Sequence, residues 1–139
     1  EKLLDAGCEV RGDIHVALLS KRVKKASEQD WKKEYLDSIV SIKVVNSLNE
    51  AIKHINNYSS KHTDAIITNS TKNAKLFLTE IESAIVMHNT STQFSDGAEF
   101  GLGAEIGIST GKLHARGPVS TQELTTYKYI VKGNGQLRQ

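Results

Sequence analysis

The apolar positions of this 139-residue chain fall into short runs whose spacing switches between two periods. Ile39, Val40, Ile42, Val44 and Val45 form a β-branched run with partial alternation, the pattern of a strand. Leu48, Ala51, Ile52 and Ile55 then recur at helical spacing. Ser47, with Glu50 three residues later, supplies a capping box, so a helix is predicted to about Tyr58. Residues 64–68 read as a short apolar strand. A second helix begins at Asn69 or Ser70, with Ala74, Leu76, Phe77, Leu78 and Ile81 on its buried side. Residues 84–88 form a further strand. Ahead of these, residues 1–6 read as the tail of an amphipathic helix closing on Gly7, and residues 8–10 as a short strand. Ile14, Val16, Leu18 and Leu19 lead into a polar stretch, 20–29, expected to be a loop or short helix. Strand, helix, strand, helix, strand is the βαβ pattern of a parallel sheet covered on both faces, which places the chain in the α/β class.

The periodicity then stops. From His88 to Pro118 there is no convincing helical repeat, yet six of the ten glycines (Gly97, Gly101, Gly103, Gly107, Gly111, Gly117) and the single proline lie there. A connection of that length is long for a compact domain, and such segments carry function or are disordered. Phe94, Phe100, Leu102, Ile106, Ile108 and Leu113 are spread through it and are expected to be buried, which argues for an ordered loop. It leaves the carboxyl end of a strand, where ligands of parallel sheets sit. Residues 124–131, LTTYKYIV, alternate again with high β propensity. A terminal strand without a following partner has to pair elsewhere, and another subunit is a candidate.

Composition narrows the function classes. Eighteen basic against 16 acidic residues, a formal charge of +2, is too balanced to argue for nucleic acid or an anionic membrane. The run Lys21, Arg22, Lys24, Lys25 is followed by Glu28 and Asp30 and reads as a solvated surface. One cysteine excludes an internal disulfide and a cysteine-based zinc cluster, and a reducing, cytoplasmic setting fits. No apolar run approaches the roughly 20 residues that span a bilayer. The opening EKLLDAG, a helix end without an N-cap, reads as a piece of something longer.

Candidate chemistry is sparse. Cys8 has an acid beside it and reads as a small buried residue rather than a nucleophile. The five histidines lack metal-ligand spacing, so no metal site is assigned. His54 and His62 read as solvated, while His88 and His114 bracket the loop. Asp96, Glu99 and Glu105 fall in the loop without a spacing that proves a pair. Gly101-Leu102-Gly103 begins a dinucleotide fingerprint that Ile106 leaves incomplete. Arg116, in the turn His114-Ala115-Arg116-Gly117-Pro118, either holds a carboxylate or phosphate or ties the loop to the domain.

The loop sequence goes further than its chemistry. FGLGAEIGIST, LHARGP and LTTYK, in that order, closely resemble the C-terminal part of the gamma-glutamyl phosphate reductase (glutamate-5-semialdehyde dehydrogenase) family, within the aldehyde dehydrogenase superfamily. EYLDSIVSIKVV, AIKHI and HTDAIIT upstream are similar too, so the resemblance covers nearly the whole chain.

The resemblance implies residues 1–123 as the later part of a catalytic domain, with 88–118 as substrate-side loop and 124–139 as oligomerisation strand and tail. It implies NADPH-dependent reduction of L-glutamyl 5-phosphate to L-glutamate 5-semialdehyde and phosphate, in proline biosynthesis, by a homo-oligomer self-associating through 124–131. In that chemistry a cysteine thiolate attacks the acyl phosphate and hydride reduces the thioester. The family's nucleophile falls in a segment that would precede Glu1, Cys8 does not match it, and the 139 residues alone are expected to be inactive. By the same resemblance Glu34 binds the nicotinamide ribose, Phe100 walls the aldehyde pocket, and Asn89, Ser91, Thr92 and Arg116 belong to the substrate side. Gln93 departs from the family's usual arginine. Arg116 or a residue outside these 139 then supplies the charge, or the specificity has shifted. The competing expectation is a non-catalytic relic of the fold that serves oligomerisation or interaction.

Overall fold

The structure, a computed structural model, describes residues 1–138. Helix α1 (Lys2–Asp5) closes on Gly7 at φ +83 and leads into strand β1 (Glu9–Gly12). A one-turn helix α2 (Ile14–Ala17) follows, and Asp13 caps it by accepting the Val16 amide at 3.0 Å. The second Asp13 oxygen accepts the Val44 amide at 2.9 Å. These amides, Val16 first, hold the Asp13 carboxyl below its usual range.

The polar stretch 20–29 is not all loop. It contributes strand β2 (Lys24–Lys25), exposed as its lysines require, and enters a 3₁₀ turn at Glu28–Lys32. Strand β3 (Ile39–Ile42) runs parallel to β1 with Val10 opposite Val40, and β2 flanks β1 on its other side. The basic run is solvated but paired: Arg22 meets Asp5 at 2.6 Å, and Lys24 meets Glu9.

Helix α3 (Leu48–Tyr58), strand β4 (Thr63–Ile66), helix α4 (Thr71–Glu80) and strand β5 (Ile85–His88) follow in the predicted order, with β4 and β5 parallel. Ser47 caps α3 through the Glu50 amide at 3.2 Å. The capping box is displaced by one residue: the Glu50 carboxylate takes the Asn46 amide at 2.9 Å instead of that of Ser47. Ile52, Phe77 and Ile81 form the core between the helices, covered by Leu48, Ile55, Ile66 and Val86. Leu76 and Leu78 do not join it. They lie on the flanks of α4 and are exposed, because a stripe at positions 74, 77 and 81 already fills the contact.

One further expectation is corrected. The sheet is not continuous: β2-β1-β3 and β4-β5 are separate ladders, joined in sequence by α3. Within the described chain residues 124–131 join no ladder: the Leu124 and Thr125 amides turn back to the Ser120 and Gln122 carbonyls, and Tyr127 (81%) and Val131 (92%) are exposed. Gln139, the end of the predicted tail, lies outside the described residues.

Candidate functional site: a cleft between residues 31–34 and the loop

The loop after β5 has more structure than its composition suggests. Asn89 turns the chain at φ +55, and its side-chain amide closes on Thr68 after β4, accepting the Thr68 amide and donating to the Thr68 carbonyl, at 2.8 and 2.9 Å. His88 contacts the same carbonyl at 2.9 Å. Ser91 caps a 3₁₀ turn at Thr92–Ser95. A short antiparallel hairpin, β6 (Gly107–Ser109) and β7 (Gly117–Val119), then crosses the loop. Glu105 ties the segments by accepting the Gly97 amide at 2.8 Å.

Of the apolar loop residues, only Ile108 is half-buried; Phe94, Phe100, Leu102, Ile106 and Leu113 are exposed. The expected burial is therefore not met within the described chain. The order of the loop comes from its polar bonds and hairpin rather than from an apolar centre.

An open cleft of about 650 Å³ lies beside this loop. Trp31, Lys32, Lys33 and Glu34 line one side. Tyr58, Ser59, Ser60, His62, Thr63 and Asp64, with Thr92, Ser95 and Thr110, complete it. Glu34 is exposed and has no hydrogen bond or ion pair among the described residues. The structure thus brings Glu34 and Thr92 to one cavity.

It does not bring the other named residues there. Asn89 and Ser91 are engaged in the turns that root the loop. Phe100 is exposed and does not line this cleft. Arg116 lines a second hollow of about 750 Å³ with His114, and donates to the Glu82 carbonyl at 2.6 Å. Lys112 pairs with the Glu82 carboxylate and lowers its pKa. The Arg116 contact ties the loop to the segment ahead of β5.

His54 is not solvated as expected. Its ring packs edge-on to Trp31, with centroids 5.6 Å apart, and against Tyr58 at 4.7 Å. Burial, then the nearby Lys43 ammonium, push its pKa below the ordinary 6.5.

The residues that sequence reasoning missed lie behind Glu34. Asp30 is 5% exposed and accepts four hydrogen bonds: from the Ser27 amide (2.6 Å), the Ser27 hydroxyl (2.7 Å), the Tyr35 hydroxyl (2.6 Å) and Arg11 Nη1 (2.8 Å). The Tyr35 hydroxyl first, then Ser27 and Arg11, hold its carboxyl far below the usual carboxylate range. The Ser27–Asp30 pair is a capping box that local spacing alone could have flagged. Arg11 is 19 positions away and could not be found that way.

Comparison with known proteins now decides the family. The model of the aldehyde dehydrogenase family matches residues 14–129. The chain belongs to that family. Gamma-glutamyl phosphate reductase of Sphingopyxis alaskensis is 62% identical over 138 residues, covering 99% of this chain and 32% of the relative. The Methylobacterium radiotolerans protein of the same name is 58% identical with the same coverage. The crystal structure of gamma-glutamyl phosphate reductase from Thermotoga maritima superposes with a TM-score of 0.90 at 50% identity, over 99% of this chain and 33% of that one. The α/β architecture with parallel strands is therefore that of an aldehyde dehydrogenase fold. The chain spans 32% of the length of the curated relatives it matches. No helix among the described residues is long and apolar enough to cross a membrane.

Proposed function

We propose that this chain is the later part of the catalytic domain of a cytoplasmic, NADPH-dependent reductase that converts L-glutamyl 5-phosphate to L-glutamate 5-semialdehyde and phosphate, in proline biosynthesis. The names and identities of the relatives support the reaction. The observation that carries the role of this chain is the unpaired Glu34 carboxylate on a cleft shared with Thr92 of the loop.

Such a group fits a nicotinamide nucleotide. An ionised carboxylate accepts from both hydroxyls of a ribose, and charge-assisted bonds of that kind are the stronger ones. The bound nucleotide supplies the hydride. Glu34 holds the ribose and thereby orients the reacting ring, Thr92 borders the same space, and Trp31 forms its apolar wall. No nucleophile is assigned to this chain: Cys8, half-buried against its own turn, lines neither hollow.

The test uses a chimera in which this chain replaces the matching third of the Sphingopyxis alaskensis relative. Phosphate-dependent reduction of NADP⁺ by the semialdehyde, the reverse of the proposed reaction, is the assay. Glu34→Gln is expected to raise the KM for NADP⁺ about tenfold, the loss of a hydrogen bond to a charged group. An inactive chimera, or an unchanged KM, overturns the assignment.

The exposed alternation at Tyr127, Tyr129 and Val131 favours a second role beside catalysis, self-association through 124–131. An extended segment without a ladder partner is a template for a neighbouring subunit. Deleting 124–131 from the chimera is expected to halve the sedimenting mass or more. An unchanged mass would place the subunit contact elsewhere.

A further inference from the structure

Glu34 stands at the end of a short bridge whose two abutments are bonded to each other. Asp30 and Tyr35 flank the four residues Trp31, Lys32, Lys33 and Glu34, and all four line the cleft. None of Lys32, Lys33 or Glu34 has a side-chain hydrogen bond of its own among the described residues. The bridge's first residues belong to the 3₁₀ turn and Trp31 packs on His54; the far end, where Glu34 stands, is closed by the Tyr35 hydroxyl donating to Asp30 at 2.6 Å.

Both abutments also meet Arg11. Asp30 is held by Ser27 and Arg11, and its carbonyl accepts the Ser41 hydroxyl of β3 at 3.0 Å. The Tyr35 ring lies under the Arg11 guanidinium, 5.1 Å from its centroid, with the Lys33 ammonium at 5.8 Å. Arg11 itself belongs to β1, the central strand of its sheet. Directly after Tyr35 the chain turns through the exposed Leu36 at φ +51, in the left-handed region. The bond from Tyr35 to Asp30 thus transmits the position of the sheet to a carboxylate that has no side-chain partner of its own among the described residues.

We infer that Asp30, acting through the Tyr35 hydroxyl, is a positioning residue that sets how Glu34 is presented to the ribose of a nicotinamide nucleotide. The inference rests on the ribose-binding reading of Glu34 and adds the part that gives that carboxylate its direction. An acceptor displaced by an ångström keeps its charge and loses its geometry, so cofactor binding weakens while the substrate side is untouched.

The experiment is a double-mutant cycle in the chimera, with Tyr35→Phe and Asp30→Asn each made alone and combined with Glu34→Gln. Each single substitution is expected to raise the KM for NADP⁺ about tenfold, with the KM for the semialdehyde changed less than about twofold. In the Glu34→Gln background neither substitution is expected to raise the KM further, because the carboxylate they direct is already gone. A purely structural role would raise both KM values, or add its full effect in that background, and either result overturns the inference. Tyr35→Phe removes only a hydroxyl, so it decides alone if Asp30→Asn does not fold. If Glu34→Gln leaves the KM for NADP⁺ unchanged, the ribose reading itself fails and the inference falls with it. If Glu34→Gln raises that KM and Tyr35→Phe does not, the inference fails and the ribose reading stands.

Discussion

Phe77→Ala is expected to destabilise this chain by about 3–5 kcal/mol, the range for removing a buried phenylalanine ring. Phe77 is the most deeply enclosed of the core residues, 2% exposed, where α4 meets Ile52 of α3 and Ile81. Ile66 of β4 and Val86 of β5 pack against this cluster, so the core around the ring joins both helices to the second ladder. Few other groups are available to fill the space, because Leu76 and Leu78 project from the flanks of the helix. Single domains have about 5–15 kcal/mol in total, so the loss would remove a large share of the stability. Urea unfolding is the measurement: the midpoint falls while the slope stays constant. A loss below about 1 kcal/mol would mean that the helix pair is held by something other than this ring.

Gly12→Ala is expected to cost about 1–3 kcal/mol, as overpacking does. The opposite sign has an argument too. Gly12 has no positive φ, and glycine-to-alanine changes at compatible positions stabilise by about 0.4–1 kcal/mol through the unfolded state. The contact decides. An added Cβ would sit 2.6 Å from Val16 Cβ and 2.7 Å from its Cγ1, with Val23 Cγ1 at 3.1 Å. A Cβ cannot swing aside as a flexible side-chain tip can, so α2 would have to move off β1. That helix is pinned through Asp13 to both the Val16 and Val44 amides. Thermal unfolding of Gly12→Ala and of Gly12→Ala with Val16→Ala tests the cause. The second protein is expected to show less than the sum of the two single losses, and strict additivity would remove the steric explanation.

What the sequence made legible was local. The helices α3 and α4 were readable because Ser47 and Ser70 announce their starts and the apolar spacing does the rest. The strands β3, β4 and β5 were readable as β-branched or apolar runs between them. The pairing of β1 with β3 was not, because their partners lie about 30 residues apart, as Glu9 and Ile39 do. Strand β2 was hidden in a lysine pair whose composition resembles a loop, since an exposed edge has no need of apolar side chains. His54 was misread because its partners Trp31 and Tyr58 reach it from two directions, one of them another segment. At the site, Glu34 was singled out only by resemblance; its cleft, and the Arg11–Asp30–Tyr35 support, depend on contacts that no spacing rule encodes.

The root of the loop has a consequence for its length. Asn89 and Thr68 lock one end to β4, and Arg116 holds the other to the Glu82 carbonyl ahead of β5. The ends are therefore brought together by contacts that, apart from the exposed Lys112–Glu82 pair, do not involve the residues between them. Closure entropy grows only with the logarithm of the contour, about 0.6 kcal/mol for each doubling. Insertions or deletions in the exposed body, around Leu113 for example, would leave β4 and β5 almost unaffected, so the rim of the cavity can be reshaped while its foundation stays as it is.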